Sequence, residues 1–180
     1  EVGCGGRNYQ ENLEVLQLYT ADVNAGLATY PHSDNPQRIS PAINLEGKAL
    51  SRNASKLLPL LLEMGTTADF TDLPRLQELL MQHYSAIEHG IVHHAMSYAL
   101  NLASAGLSQS AAFTNRSHGL EYLHFCRSLV AEETMETLAQ KLSECQAKFL
   151  CRGKAELLLS CDDQIKTGLQ IPAVTFKEGT

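Results

Sequence analysis

Four of the seven histidines, His83, His89, His93 and His94, crowd one stretch of the chain and are the first residues able to do chemistry. His89 and His93 are four apart, so on a helix they share a face and could reach a single divalent ion. A zincin-type site needs His-Glu-x-x-His, in which the glutamate is the general base. Here the run is His89-Gly90-Ile91-Val92-His93, and glycine stands where the base belongs. Glu88 precedes the pair and lies elsewhere on the helix surface. With no base and no third ligand in the pattern, exposed or hydrogen-bonded helix histidines are expected. The second candidate is His118-Gly119-Leu120-Glu121-Tyr122. In the inverted motif, His-x-x-Glu-His, two histidines hold zinc and the glutamate activates the water. Tyr122 takes the place of the second ligand, and His124 is rotated to another helix face. The expectation is therefore that the segment supplies no catalytic, metal-binding or cofactor-binding residue.

Other chemistries find no pattern either. There is no Gly-x-Ser-x-Gly elbow, no Gly-x-Gly-x-x-Gly run and no phosphate loop; Gly3-Cys4-Gly5-Gly6 is an isolated glycine turn. The five cysteines, Cys4, Cys126, Cys145, Cys151 and Cys161, form no Cys-x-x-Cys pair and no regular framework. They read as reduced, mostly buried thiols of a cytoplasm-like compartment, with an organelle matrix also compatible. Sequons at Asn53 and Asn115 would matter only in a secretory compartment. Fourteen Lys and Arg against twenty Asp and Glu give a net charge of -6. Nucleic acid, which selects clustered positive charge, is not an expected partner. A membrane is not expected either, because no stretch approaches the roughly 18 apolar residues of a span. No basic-then-apolar secretory leader opens the sequence.

The elements that would position these residues follow from periodicity and punctuation. In 180 residues, 44% of them hydrophobic, there is material for one core. Leu13, Leu16, Tyr19 and Val23 have helical spacing. Gly26-Leu27-Ala28-Thr29-Tyr30 reads as a strand, and a second runs from about Arg38 to Leu45, with Pro41 moving it towards a sheet edge. Lys56 to Met64 is helical, with Asn53 and Ser55 as caps and Gly65 as the stop. A helix of about 30 residues is then expected. Its stripe is Leu73, Leu76, Leu79, Leu80, Tyr84, Ile87 and Ile91, continuing through Met96, Leu100 and Ala103, with a kink at Gly90. Helices follow at Ser108–Thr114, Gly119–Val130 and Glu132–Leu150, the last with Met135, Leu138, Leu142, Cys145 and Phe149 on one face. Ala155 to Cys161, with three consecutive leucines, reads as a buried strand. The class is α+β, an antiparallel sheet with helices packed on one face. The sheet is thin for so much helix, so a strand preceding Glu1 is expected to complete it.

Several segments, in order, resemble the insulinase/pitrilysin-type zinc metallopeptidases, in their presequence-protease branch. Glu1-Val2-Gly3-Cys4-Gly5-Gly6-Arg7-Asn8-Tyr9 resembles the exit from a strand into a first helix of such a domain. Ala25-Gly26-Leu27-Ala28-Thr29 is similar to the small-residue strand that follows. Leu45-Glu46-Gly47-Lys48-Ala49-Leu50-Ser51-Arg52-Asn53 resembles that branch's Gly-Lys-Ala-Leu junction. Phe70-Thr71-Asp72-Leu73-Pro74-Arg75-Leu76 resembles the start of its long helix. His94-Ala95-Met96-Ser97-Tyr98-Ala99 and Ala105-Gly106-Leu107-Ser108 are similar to the run that ends that helix. Gly119-Leu120-Glu121-Tyr122-Leu123 resembles the helix start after it. The resemblance covers roughly residues 1–162.

It implies a metallopeptidase-type α/β roll over 1–162, with 163–180 a tail or the start of another element. Such enzymes close two halves of two domains each around a peptide, and the first domain bears the inverted motif. This segment resembles the third, non-catalytic domain, a wall and scaffold that is inactive alone. Zinc would be held elsewhere in the parent enzyme, and no cofactor by this segment. The remaining domains and peptide substrates would be its partners, with self-association expected of the isolated piece. A freestanding α+β scaffold and a metal sensor using His89 and His93 are the rival readings.

Overall fold

The computed structural model describes residues 1–35, 37–150 and 156–168, and these divide into two compact units. The first holds Glu1–Ala25, Leu45–Leu73 and the described part of Ala139–Thr180; the second holds Gly26–Asn44 and Pro74–Leu138. The class is α+β, with the strands pairing as two separate two-stranded sheets.

In the first unit, β1 (Gly3–Cys4) pairs antiparallel with β4 (Ala68–Asp69), Gly3 opposite Asp69 and Cys4 opposite Ala68. The chain leaves β1 through Gly5 and Gly6, whose φ of 59° and 78° lie in the left-handed region that glycine tolerates best. Asn8 then caps α1 (Tyr9–Tyr19) reciprocally with Glu11: its side chain accepts the Glu11 N–H, and the Glu11 carboxylate accepts the Asn8 N–H. The helix stops before Val23, which lies in β2 (Asp22–Pro31), and the buried residue of its inner face is Asn12, while Leu13 is exposed. The Asn12 amide donates to the Val2 carbonyl at 3.1 Å, tying helix to strand. β2 pairs with β3 (Ile39–Lys48), which contains Pro41; from Gly26 to Asn44 this ribbon belongs to the second unit. A two-stranded ribbon has no central strand, so a missing N–H is tolerated there. A 3-10 turn (Ser51–Asn53) leads into α2 (Ala54–Thr66). Asn53 precedes that helix, but its side chain donates to the Leu18 carbonyl at 3.4 Å instead of capping. α2 also passes through Gly65, the expected stop, because that glycine serves packing: a Cβ there would sit 2.8 Å from Leu45 Cδ1.

The second unit is built on α3 (Leu73–His93), α4 (Ala95–Ser104), α5 (Gln109–His118) and α6 (Leu120–Glu132). Leu76, Leu123, Cys126 and Leu138 form its buried core. Each fully buried Leu is worth about 1.5–3 kcal/mol. Ser108 caps α5, its hydroxyl accepting the Ala111 N–H at 3.1 Å. The single helix of about 30 residues is in fact two. Gly90 stays helical, and the break falls at His94, whose φ of -121° and ψ of 26° leave helical geometry. The apolar stripe consequently ends at the break: Met96, Leu100 and Ala103 are exposed.

Two further expectations are corrected. The helix after Glu132 is α7 (Met135–Cys145) followed by a π-helical turn, Gln146–Leu150. Leu138 is buried and Leu142 half-buried, while Cys145, at the end of α7, and Phe149, inside the wider turn, are exposed. The described part of the expected buried strand, 156–161, has no strand structure, and Leu157, Leu158 and Leu159 are 51, 97 and 40% exposed. No partner strand pairs with it among the described residues, and a lone segment cannot bury three leucines. Ala155 lies outside the described residues. A short helix, α8 (Asp163–Gly168), follows.

Candidate functional site

The inverted-motif imitation falls at the junction of α5 and α6, where the chain turns sharply through Gly119. The Gly119 N–H donates to the Asn115 carbonyl at 3.0 Å, closing α5. A Cβ at position 119 would overlap Asn115 Oδ1 and lie 2.7 Å from that carbonyl oxygen, so only glycine lets the chain pass. Asn115 itself is fully buried. Its amide donates to Glu121 Oε1 at 2.7 Å, and Arg116 Nε lies 3.5 Å from Glu121 Oε2. The His118 ring nitrogen Nδ1 is 2.7 Å from the Ser117 hydroxyl. Glu121 of the candidate pentad therefore ties α6 back to α5, while His118 meets only its chain neighbour within α5.

Tyr122, at the position of the absent ligand, faces α3. Its hydroxyl hydrogen-bonds His83 Nε2 at 2.8 Å, and the rings meet edge-on with centroids 5.7 Å apart. Phe125 stacks on it at 6.3 Å. Burial, and then the neighbouring Cys126 thiol, push the Tyr122 hydroxyl up to about 12. Burial likewise pushes the Cys126 thiol up. Neither group is an activated nucleophile at neutral pH, because activation requires a shift the other way. One helical turn along, the Tyr84 hydroxyl donates to Glu88 Oε1 at 2.8 Å and accepts from Arg127 Nε at 3.2 Å. Arg127 also approaches Glu88 at 3.5 Å. The Tyr84 hydroxyl, with the Glu88 carboxylate behind it, keeps the guanidinium above its ordinary value. These contacts fasten α3 to α6. Of them, only Tyr84 and Glu88, four apart on one helix, left a signal in the sequence.

His89 and His93 are exposed on α3, and among the described residues no group of three His, Cys, Asp or Glu side chains is placed to hold a metal ion. The donor chemistry at the junction does not suit zinc either. The Glu121 carboxylate is taken by an amide and a guanidinium, and a tyrosine with a raised hydroxyl stands for the second imidazole. In the first unit, Arg7 pairs with Glu63, which keeps the guanidinium above its ordinary value. The Thr67 hydroxyl accepts the Gly5 N–H at 3.0 Å and lies 3.4 Å from the Cys4 thiol, pinning the glycine turn. Cys4 and Cys126 are buried, whereas Cys145 and Cys161 are exposed; all four are free thiols, and Cys151 lies outside the described residues. The expectation of mostly buried cysteines thus holds for two of these four. No described helix is long and apolar enough to cross a membrane.

Comparison with known proteins gives a family. The family model of the domain associated with subfamily C of the M16 peptidases matches residues 1–129. A protein of Clostridium perfringens named Protein HypA is 21% identical over 159 residues, covering 87% of this chain and 16% of its own length. The mitochondrial presequence protease of Aspergillus fumigatus is 26% identical over 151 residues, 79% of this chain and 14% of that protein. That of Gibberella zeae is 22% identical over 170 residues, 91% and 17% respectively. The chain spans about a sixth of the length of these relatives.

Proposed function

Because the chain belongs to the family of domains associated with subfamily C of the M16 peptidases, we propose that it serves as a non-catalytic wall and scaffold within a larger zinc-dependent peptidase. The observation that carries this reading is the α5–α6 junction. Its Glu121, the carboxylate of the closest approach to a zinc motif, accepts from the Asn115 amide across the helix junction, and the position of the second ligand holds Tyr122, bonded to His83. The zinc would be held by another part of the longer polypeptide. There its chemistry would be to polarise the scissile carbonyl and supply an activated water. This chain contributes shape: packed helices that enclose a chamber and admit only chains unfolded or small enough to enter.

Peptides are the substrate class of this reading, and the remaining domains of the parent are its partners. Strand addition to the β2–β3 ribbon is the weaker mode of peptide capture, since Pro41 removes one N–H from β3. Free thiols at Cys4, Cys126, Cys145 and Cys161 accord with a reducing, cytoplasm-like compartment or an organelle matrix. Several relatives are named as mitochondrial, which favours the matrix.

The test is direct. The chain is incubated with an unstructured peptide, with and without added zinc, and fragments are followed by mass spectrometry. No zinc-dependent fragments are expected. Zinc-dependent turnover that survives chelation and rescue and disappears in His118→Ala would overturn the reading.

A further inference from the structure

Helix α4 is inside out. Its half-buried residues are Tyr98, Asn101 and Ser104, while Met96, Leu100 and Leu102 are 75, 62 and 52% exposed. Val92, one turn before it, is 81% exposed, and Leu107, just beyond it, is 79% exposed. Met96 and Leu100 are four apart on α4 and share one side of it, with Val92 exposed before the His94 break and Leu107 exposed after the helix ends. At about 1.5 Å per residue the ten residues of α4 give a line roughly 15 Å long, enough for a helix or sheet face to pack along it.

Charge makes the stretch more unusual. No Asp, Glu, Lys or Arg occurs between Glu88 and Arg116, in a chain that is 19% charged. Free surfaces keep charge interspersed, and loss of charge together with exposed Met and Leu marks the buried core of an interface. We infer that this face is covered by another domain of the same longer polypeptide, through an apolar, charge-poor surface. The inference rests on the reading of the chain as part of a larger peptidase and names where the rest of that protein docks. Two observations choose this occupant. The matched stretch is only 14 to 17% of each of these relatives, which leaves ample polypeptide to supply the cover. A charged peptide substrate would find no opposite charge along the line, whereas a permanent domain contact needs none.

Methionine oxidation reads this surface. The full gene product is treated with hydrogen peroxide, and sulfoxide formation is timed at Met96 and at Met81, which is 44% exposed on α3. Exposure in this chain ranks Met96 as the faster. In the full polypeptide the order reverses: Met96 oxidises at least about tenfold more slowly than in denaturant, and more slowly than Met81. Leu100→Glu, which places a charge in the contact, restores rapid Met96 oxidation. Met96 remaining the faster residue overturns the inference. Protection that disappears on dilution into the monomeric range also overturns it, because the cover is then a second copy. Zinc-dependent peptidase activity of the same preparation separates the failures. An active enzyme with exposed Met96 sinks only the docking face, while a gene product with no further domain sinks the larger reading as well.

Discussion

Gly119→Ala is the sharpest single perturbation of the helix junction. The native φ of -100° and ψ of -160° are extended values open to alanine, so the penalty is steric. The new Cβ would overlap Asn115 Oδ1 and come within 2.7 Å of the Asn115 carbonyl oxygen and 2.8 Å of its Cα. Two of these atoms belong to the helix backbone and cannot swing aside. Overpacking of this kind costs about 1–3 kcal/mol. Displacing the Asn115 side chain also breaks its 2.7 Å bond to the Glu121 carboxylate, worth about 1.5–3 kcal/mol when the partner is charged. Against this, alanine lowers the entropy of the unfolded chain by the equivalent of about 0.4–1 kcal/mol. The net expectation is a loss of about 2–4 kcal/mol. For a chain of this size each kcal/mol shifts Tm by about 2–4 °C, so the fall should be roughly 5–15 °C. Calorimetry, or circular dichroism with urea titration, gives the number. A change smaller than about 1 kcal/mol would show that the junction relaxes freely, refuting its role as a rigid connection.

Other consequences can be measured alongside. The Tyr122 hydroxyl titrates near 12 in the folded chain against about 10 unfolded, so the folded state holds its proton longer. Its contribution to stability is therefore complete below about pH 10 and is lost as pH rises through about 12; Tyr122→Phe should remove the highest tyrosinate absorbance step and flatten that alkaline loss. An unchanged titration would show that Tyr122 is not the shifted group. Glu63→Gln breaks the partly exposed pair with Arg7 and should lower Tm by roughly 2–4 °C, for a loss of about 1 kcal/mol. Equal melting temperatures would mean that the glycine turn does not depend on the pair. Zinc titration calorimetry should give the same weak or absent heat for the native chain and for His89→Ala with His93→Ala. A stoichiometric site lost in the double variant would revive the metal-sensor reading.

Local signals carried much of the fold. The strands of the β2–β3 ribbon and the helix starts near Ser108 and Gly119 are set by residues close in sequence, and they lie near where spacing placed them. The failures are non-local. A stripe says that a helix has an apolar side, but not whether a neighbour reaches it; past His94 the same spacing continues outward into solvent. Three leucines at 157–159 resemble a buried strand only if another strand comes to meet them, and among the described residues none does. The π-helical turn at Gln146–Leu150 departs from the uniform 3.6-residue period that kept Phe149 in line. At the candidate site, the lack of a second imidazole at Tyr122 was legible from the motif. That Tyr122 binds His83, and Glu121 binds Asn115, was not, because neither spacing nor composition reports contacts between helices.

The claim that this chain is scaffold and not catalyst is tested most directly in the full gene product, by steady-state cleavage of an unstructured peptide after His118→Ala. The account predicts zinc-dependent activity within about twofold of the native enzyme, since a catalytic group would change the rate by factors of about 10²–10⁴. A loss of that size, in a variant that keeps its fold and its bound zinc, would place His118 in the catalytic machinery and contradict the account.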